Sequence, residues 1–466
     1  MAVVFDTARS RAEHIQLPLL RAANPDRVIA WRDGRAVRAA EFLSEVAALA
    51  ARLPSAPAAV NLCEDRYAFL VAFAALATRG QANLLPPSRA PHAVDEVLAT
   101  HPGAYTLGDV ELPAPPPHYL SFDLLHAIVP AREDQRAGIP VRTSQQGALT
   151  VNSGLTVAIG YTSGSTGVPK ANAKRWDKLA VSSAHNHALL TGLAGGPYTV
   201  VATVPSQHMY GLEFSVLLPL FEDVAIHSAK PFFPVDVAKA LQDVPAPRVL
   251  VTTPVHLRAL VEHGHALPAL AAIVSATAPM PPELARAAEA LFAAPVQEVF
   301  GSTETCVIAH RRTASEECFT LYPGIALHPQ PDGAQVDAPQ LLHPVALADL
   351  VELAECGRFI LRGRNADLLE IAGKRASLGD LTKRLLAVPG VCDGVVFQMD
   401  EADRGGVQRI AALAVAPGLS AGTILAALRQ AIDPVFLPRP LKLVDALPRS
   451  ETGKLPRAAL LEMLRS

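Results

Sequence analysis

The sequence has few cysteines, and none of them follows a metal-binding or disulfide-type spacing. Five occur in 466 residues, at Cys63, Cys306, Cys318, Cys356 and Cys392, and no two form a CxxC pair. The odd number and the irregular spacing argue against a disulfide framework and against a zinc cluster. A reducing, cytoplasmic location is therefore expected.

Long apolar runs are also lacking. The most apolar stretch, residues 68–77, ends at Arg79-Gly80 and is too short to span a bilayer, so we predict no membrane span and one buried helix there. Residues 1–11 lack a basic segment followed by an apolar one, so no signal peptide is predicted.

Neither sign of charge dominates. The chain has 41 Lys and Arg against 44 Asp and Glu, and its formal net charge is −3. No overall charge would attract it to nucleic acid or to an anionic membrane, so neither is an expected partner. Half of the residues are hydrophobic, as in a globular enzyme rather than a disordered chain.

Short apolar strands alternate with helical stretches along most of the chain. Predicted strands are 28–31, 58–62, 82–85, 156–161, 199–204, 249–253, 271–275 and 296–300, and predicted helices include 39–53, 236–242, 255–263 and 282–292. This alternation predicts an α/β fold whose large N-terminal domain has layered, mostly parallel sheets and helices.

The pattern of the sequence changes after Gly324, where proline-rich turns interrupt short predicted strands. We place a domain boundary near residues 364–367, which leaves about 100 residues for a second domain. The prediction is a large domain over residues 1–363, a hinge over 364–367, and a small α+β domain over 368–466.

The most informative segment is Gly160-Tyr161-Thr162-Ser163-Gly164-Ser165-Thr166-Gly167-Val168-Pro169-Lys170. Glycines let backbone N–H groups approach an anion, hydroxyls add donors, and a lysine adds positive charge. The segment is not a Walker A loop, because Gly167 is not followed by Lys and Ser or Thr. A flexible Gly/Ser linker is the alternative, but the preceding strand and the closing Pro-Lys favour a loop that binds phosphate.

This segment resembles the signature loop of the adenylate-forming (AMP-binding) superfamily, which includes acyl- and aryl-CoA synthetases, peptide-synthetase adenylation domains and luciferases. The resemblance extends over nearly the whole chain. It implies that the loop binds the phosphates of ATP. The residues concerned are Thr162, Ser163, Gly164, Ser165, Thr166, Gly167 and Lys170.

Residues 300–305, Phe-Gly-Ser-Thr-Glu-Thr, resemble the second nucleotide motif of the superfamily. The resemblance implies that Phe300 lies against adenine, that Thr303 contacts the α-phosphate and that Glu304 holds Mg²⁺. The residue types suit these roles, since an aromatic ring offers a stacking face and a hard carboxylate suits Mg²⁺ bound to phosphates. An ordinary strand end is the alternative.

Three further positions match superfamily motifs. Asp349 and Arg364 stand where the family binds the ribose, although Leu347-Ala348 replaces the usual Thr-Gly before the aspartate. A loop aspartate is also common as a turn or cap residue. Lys454, in the C-terminal motif of residues 447–457, matches the lysine that the family uses in adenylation. The resemblance also implies that the small domain rotates about the hinge between the two half-reactions.

The segment 205–211, Pro-Ser-Gln-His-Met-Tyr-Gly, resembles a motif whose histidine, here His208, lies beside the acyl carboxylate and the thiol tunnel. A buried structural histidine is the alternative. Apolar residues after it, Leu212, Phe214 and Val216, are candidates for an acyl pocket. The Phe-Asp pair of amino-acid-activating domains is absent and Glu213-Phe214 is the nearest feature, which favours an aryl or fatty acid. The string His-Met-Tyr-Gly-Leu-Glu resembles a segment of the ligases that load aromatic starters in aryl-polyene pathways.

Together these motifs predict an acid–thiol ligase. It would use ATP and Mg²⁺ to form an acyl-adenylate with release of pyrophosphate, and then transfer the acyl group to coenzyme A or to a phosphopantetheinyl carrier protein. A luciferase-like enzyme and a non-catalytic AMP-binding regulatory module are the alternatives. A kinase is disfavoured, because no kinase glycine-rich loop occurs.

Overall fold

The structure is a computed structural model that describes residues 15–21, 24–116, 118–123, 148–162, 170–330, 333–364, 368–371, 374–402, 408–450 and 453–466. The α-helices are α1 (Ala39–Arg52), α2 (Arg66–Thr78), α3 (Pro91–Ala99), α4 (Trp176–Ala194), α5 (Met209–Leu212), α6 (Leu218–Phe221), α7 (Pro234–Gln242), α8 (Pro254–His263), α9 (Pro282–Phe292), α10 (Leu378–Leu386), α11 (Ala421–Ala431) and α12 (Arg457–Arg465). A π-helical turn covers Glu213–Leu217, and a 3₁₀ turn covers Pro434–Phe436.

The strands up to residue 312 are β1 (Gln16–Pro18), β2 (Val28–Arg32), β3 (Arg35–Arg38), β4 (Ala58–Asn61), β5 (Ala82–Leu85), β6 (Tyr105–Gly108), β7 (Tyr119–Ser121), β8 (Thr150–Asn152), β9 (Thr156–Thr162), β10 (Lys170–Arg175), β11 (Tyr198–Ala202), β12 (Val224–His227), β13 (Arg248–Thr252), β14 (Ala272–Ser275), β15 (Val296–Ser302) and β16 (Cys306–Arg312). Those after residue 312 are β17 (Phe319–Leu321), β18 (Ala326–Gln330), β19 (Gly333–Asp337), β20 (Val345–Ala346), β21 (Asp349–Ala354), β22 (Arg358–Arg364), β23 (Leu368–Ile371), β24 (Lys374–Ser377), β25 (Asp393–Ala402), β26 (Gln408–Val415) and β27 (Leu441–Leu443).

The chain forms two compact units. The first comprises Met1–Ser315 and Pro339–Leu342, and the second comprises Glu316–Ala338 and His343–Ser466. The predicted division at residue 364 and the hinge over 364–367 stay predictions, and residues 365–367 lie outside the described residues.

The first unit contains two sheets that are parallel in their interiors. One has the order β10-β9-β5-β4-β6-β7, in which only the β9–β10 pair is antiparallel. The other has the order β3-β2-β12-β11-β13-β14-β15-β16, and its antiparallel pairs are only those at the two ends. Parallel neighbours need crossover helices, which the alternating sequence supplies. The predicted α/β fold is confirmed.

Burial explains why these segments form strands and helices. Val201, Leu250, Ile273 and Val296 come from four adjacent strands of the second sheet and are completely buried in one core. Parallel strands are covered on both faces, so their sequences are almost continuously apolar. The predicted buried helix is α2, whose residues are almost all buried. No described helix could cross a membrane.

The second unit has smaller, mainly antiparallel sheets. They have the orders β21-β22-β17, β18-β19-β20, β23-β24 and β25-β26-β27. Helices α10 and α11 contribute to a separate apolar core with the last of these sheets, through fully buried residues that include Leu385, Ala412, Ile424 and Leu428. This arrangement is the α+β type predicted for the C-terminal region.

Candidate active site

Two of the predicted nucleotide-binding segments meet in the first unit. The Thr162 hydroxyl at the end of β9 donates a hydrogen bond to the Glu304 carboxylate, at 3.3 Å. A Cβ on Gly160 would lie only 2.7 Å from the Thr303 side chain, so glycine permits this close approach. Phe300, Thr303 and Glu304 are all half-buried. The structure therefore brings a hydroxyl, a carboxylate and an aromatic ring to partly accessible positions on adjoining segments.

A tight turn presents Glu304. The Ser302 N–H donates to the Thr305 hydroxyl at 3.1 Å, and the Thr305 N–H donates to the Ser302 hydroxyl at 3.2 Å. Gly301 pairs with Val307 across the turn, where a Cβ would lie 2.7 Å from the Val307 Cα. The glycine and the two hydroxyls therefore fix the backbone on both sides of the carboxylate.

The predicted phosphate loop begins and ends on a hairpin. Thr162 is directly opposite Lys170 in the antiparallel β9–β10 pair, and Lys170 is exposed. The hairpin thus places a hydroxyl and an ammonium at the two ends of the intervening segment. The other predicted loop residues lie outside the described residues, and they are Ser163, Gly164, Ser165, Thr166 and Gly167.

The His208 segment is anchored by buried hydrogen bonds. Arg66 donates to the hydroxyls of Ser206 and Ser215, at 3.2 and 2.6 Å, and to the carbonyls of Ala202 and Val204. Burial lowers the pKa of Arg66 to about 10, so the guanidinium stays charged near neutrality. This network holds the segment between β11 and the π-helical turn, just before His208.

His208 itself is half-buried and stands at the start of α5. The Tyr210 hydroxyl donates to the carbonyls of Thr252 and Val274, at 3.1 and 2.9 Å, which ties α5 to the ends of β13 and β14. The histidine is thus positioned at the carboxyl edge of a parallel sheet, where ligands of α/β proteins commonly bind. Leu212, Phe214 and Val216 are fully buried.

The two residues predicted to contact the ribose lie together in the second unit. Asp349 is directly opposite Arg364 in the antiparallel β21–β22 pair. Asp349 is half-buried, and only the backbone of Arg364 is described. Their pairing brings the backbones of the two predicted ribose-binding positions side by side on neighbouring strands.

Lys454 is exposed on a tight loop of the second unit. The Ser450 N–H donates to the Lys454 carbonyl at 2.7 Å, and Gly453 adopts a left-handed conformation, with φ of 78°. Arg449 forms a two-pronged contact with Asp393, at 3.0 and 2.7 Å, and also donates to the Gly453 carbonyl. These bonds fix the backbone that carries the lysine.

Sequence reasoning missed two buried charges behind the Glu304 turn. The Lys174 ammonium donates to the Glu304 backbone carbonyl at 2.8 Å, and Glu213 accepts a bond from the Val307 N–H at 3.1 Å. Glu213 lies between apolar neighbours, a pattern that could have indicated a buried charge. Lys174 gave no such signal, because its partner is 130 residues away. Burial raises the pKa of the Cys306 thiol beside them to about 12, so it stays neutral.

The loop after β14 contains a conformationally unusual residue. Thr277 has a φ of 77°. A β-branched residue rarely adopts this left-handed conformation, and such strain is concentrated at functional sites. The loop follows the same edge of the sheet as the His208 segment, so it belongs to the candidate site region.

The AMP-binding enzyme family matches this chain over residues 21–329, more than half of its length. The 4-coumarate–CoA ligase of Rhodobacter capsulatus is 32% identical over 52% of this chain and 61% of that protein, so the match spans less than two thirds of the relative. The 4-coumarate–CoA ligase of Halorhodospira halophila is 30% identical over 65% of this chain and 75% of its own length.

Among solved structures, the o-succinylbenzoate coenzyme A synthetase from Bacillus subtilis, in complex with ATP and magnesium ion, has a TM-score of 0.77 at 18% identity. The match covers 95% of this chain and 99% of that one. This likeness confirms the fold along nearly the full length. The match over residues 21–329, together with the Halorhodospira halophila relative, establishes that the chain belongs to the AMP-binding enzyme family.

Proposed function

We propose that this chain is an ATP-dependent acid–thiol ligase. It activates a carboxylic acid as an acyl-adenylate with release of pyrophosphate, and it then transfers the acyl group to a phosphopantetheine thiol. The observation that carries the proposal is the hydrogen bond between Thr162 and Glu304. It joins the start of the phosphate loop to the predicted magnesium-binding carboxylate, although the two are 142 residues apart in the sequence.

The residues present fit a magnesium ion that arrives with the nucleotide. Within the described residues, no three His, Cys, Asp or Glu side chains cluster as a metal centre. Mg²⁺ is commonly held by one or two carboxylates together with substrate phosphates, and Glu304 beside a hydroxyl provides such hard oxygen ligands. When bound, the ion neutralises charge on the phosphates.

In the first half-reaction, an oxygen of the substrate carboxylate attacks the α-phosphorus of ATP, and the bond to pyrophosphate breaks. Several anionic groups must be held together, so positioning and positive charge supply most of the catalysis. Thr162, Lys170 and the loop between them hold the phosphates, while Thr303 contacts the α-phosphate. Lys454 bridges the substrate carboxylate and the α-phosphate. Phe300 packs on adenine, and Asp349 and Arg364 hold the ribose.

In the second half-reaction, a thiol attacks the acyl carbon and AMP leaves. His208 stands at the start of α5, which Tyr210 ties to the ends of β13 and β14, and this is a suitable place for a group beside the acyl carboxylate. We propose that the small C-terminal domain predicted over residues 368–466 changes orientation about the hinge over residues 364–367 between the two steps, so that Lys454 serves only the first. Coenzyme A and a phosphopantetheinyl carrier protein present the same thiol, and either can be the acceptor.

The acid is proposed to be an aryl acid, with a fatty acid as the second choice. The names of the two similar ligases refer to 4-coumarate, an aryl substrate. Amino-acid substrates are disfavoured, because Glu213, the nearest candidate for an ammonium partner, is already bonded to Ser182, Asn186 and Val307 inside the fold. An aryl-polyene starter acid is one member of the proposed class.

The decisive assay is carboxylate-dependent exchange between ATP and labelled pyrophosphate, over a panel of aryl and fatty acids that includes 4-coumarate. We expect exchange with at least one aryl acid. Glu304→Gln should lower it by about 10²–10³-fold, because one preorganised charge is removed. Glu283→Gln is a matched control, since that carboxylate is 78% exposed on α9 and makes only a surface pair with Arg286.

The outcomes separate the alternatives. Exchange followed by thioester formation with added coenzyme A or carrier protein supports the ligase. Acyl oxidation or light without thiol would instead indicate the luciferase-like chemistry. AMP binding with no exchange for any acid would contradict the ligase and favour a regulatory module.

A further inference from the structure

A buried carboxylate lies behind the Glu304 turn, outside the predicted nucleotide contacts. Glu213 is the first residue of the π-helical turn and is only 1% exposed. Burying a charge is costly unless hydrogen bonds and charges compensate for it. π-Helical turns often occur at functional sites. The contacts of Glu213 therefore decide how its buried charge is compensated.

Glu213 accepts hydrogen bonds from two directions. On one side, the Ser182 hydroxyl and the Asn186 amide of α4 donate to Oε2, at 2.5 and 3.2 Å. On the other side, the backbone N–H of Val307 donates to Oε1, at 3.1 Å. Val307 lies at the start of β16, three residues after Glu304. The carboxylate therefore connects helix α4 to the strand that follows the turn.

Lys174 holds the same segment at its other end. The ammonium is buried and donates to the backbone carbonyl of Glu304, at 2.8 Å. Burial raises the pKa of Glu213, whereas the bonds from Ser182 and Val307 and the charge of Lys174 lower it. The two buried charges thus stabilise each other while each contacts the backbone of residues 304–307.

We propose that Glu213 and Lys174 are positioning residues that hold the backbone of residues 304–307, so that the Glu304 side chain faces Thr162 and can bind the magnesium–nucleotide complex. Neither side chain is among the predicted nucleotide contacts. The inference rests on the proposed function, because it assigns a structural basis to nucleotide binding at that site.

The chemistry of the carboxylate suggests an informative pair of variants. A glutamine at position 213 can keep its oxygen towards the Val307 N–H. Its amide then donates to the Ser182 hydroxyl, and the Asn186 amide rotates to accept. Glu213→Gln therefore preserves the backbone contact, whereas Glu213→Ala leaves all three donors without that partner. A positioning role predicts that the two variants differ.

The test is calorimetric titration with the non-hydrolysable analogue α,β-methylene-ATP, with Mg²⁺ and with EDTA. We expect Glu213→Ala to weaken magnesium-dependent binding by about 10- to 100-fold, since misplacement by about 1 Å has effects of this size. Glu213→Gln should remain within about threefold of the wild type, because it retains the geometry. Lys174→Met, which removes the contact with the Glu304 carbonyl, should weaken binding in the same direction as Glu213→Ala.

Glu45→Ala is the matched control. Glu45 is also a buried carboxylate of the first unit, 4% exposed, and it accepts a hydrogen bond from Tyr67 rather than from the Glu304 turn. The variant should lower thermal stability and leave magnesium-dependent binding unchanged.

Wild-type affinity in Glu213→Ala would overturn the inference, as would an equal loss of affinity in Glu45→Ala. If Glu213→Ala does not fold, Lys174→Met decides: weakened binding supports the inference and wild-type binding overturns it. A wild-type protein that binds the analogue equally well with EDTA would overturn it as well. If the wild type does not bind the analogue at all, the proposed function itself fails.

Discussion

Replacing Gly301 by alanine tests whether the Glu304 turn determines activity. A Cβ at this position would lie 2.7 Å from the Val307 Cα and 2.8 Å from the Cys306 carbonyl carbon. Carbon atoms in van der Waals contact are about 3.5–4.0 Å apart, so β15 and β16 would have to separate by about 1 Å. Such overpacking typically destabilises a protein by about 1–3 kcal/mol.

The displacement would act on the neighbouring carboxylate. A shift of about 1 Å at a catalytic group can reduce the rate by about 10²-fold. We therefore expect Gly301→Ala to lower carboxylate-dependent pyrophosphate exchange by about that factor, in a protein that still unfolds cooperatively in urea.

The matched control is Gly192→Ala. Gly192 lies inside α4, and a Cβ there would meet nothing within 4 Å. Alanine is a better helix former than glycine by about 0.5–1 kcal/mol, so this variant should be slightly stabilised and fully active. Full activity and unchanged stability in Gly301→Ala would refute the steric argument.

Three further predictions concern other positions. Lys454→Ala should reduce adenylate formation by about 10²–10³-fold but spare thioester formation from a supplied acyl-adenylate, and equal losses in both half-reactions would contradict its assignment to one. Gly211→Ala, whose Cβ would lie 2.8 Å from the Pro205 carbonyl carbon, should displace α5 and raise the KM for the acid; an unchanged KM would show that this contact does not position His208. Burial raises the pKa of Glu45. The free energy of unfolding of the wild type should therefore fall, relative to that of Glu45→Gln, as the pH rises through that raised pKa. A difference between the two proteins that does not vary with pH would contradict this.

The fold was predictable where sequence periodicity reflects burial. The predicted strands 58–62 and 82–85 correspond to β4 and β5, because parallel interior strands are apolar throughout. Strand β6 was missed, since Tyr105–Gly108 lies in a region rich in proline and glycine that resembles loops. Helix α4 was missed for a different reason: Ser182, Ser183 and Asn186 interrupt the apolar stripe on its buried face.

The candidate site was predictable where chemistry is concentrated in short motifs. Thr162 and Glu304 were both predicted, and the structure places them in contact. Lys174 and Glu213 were not, because their roles depend on contacts between residues that are distant in sequence. A periodicity argument detects which face of an element is buried, but it does not identify the partner of a buried charge.

The hairpin that carries the predicted phosphate loop has a practical consequence for engineering. Opposite residues of an antiparallel pair are about 5 Å apart, so Thr162 and Lys170 keep the anchor points of the intervening segment at a fixed separation. We therefore expect that segments of equal length from related proteins can be grafted between these two anchors with both strands retained. Nucleotide affinities measured on such chimaeras would show whether a difference between two proteins arises from these seven residues or from the rest of the domain.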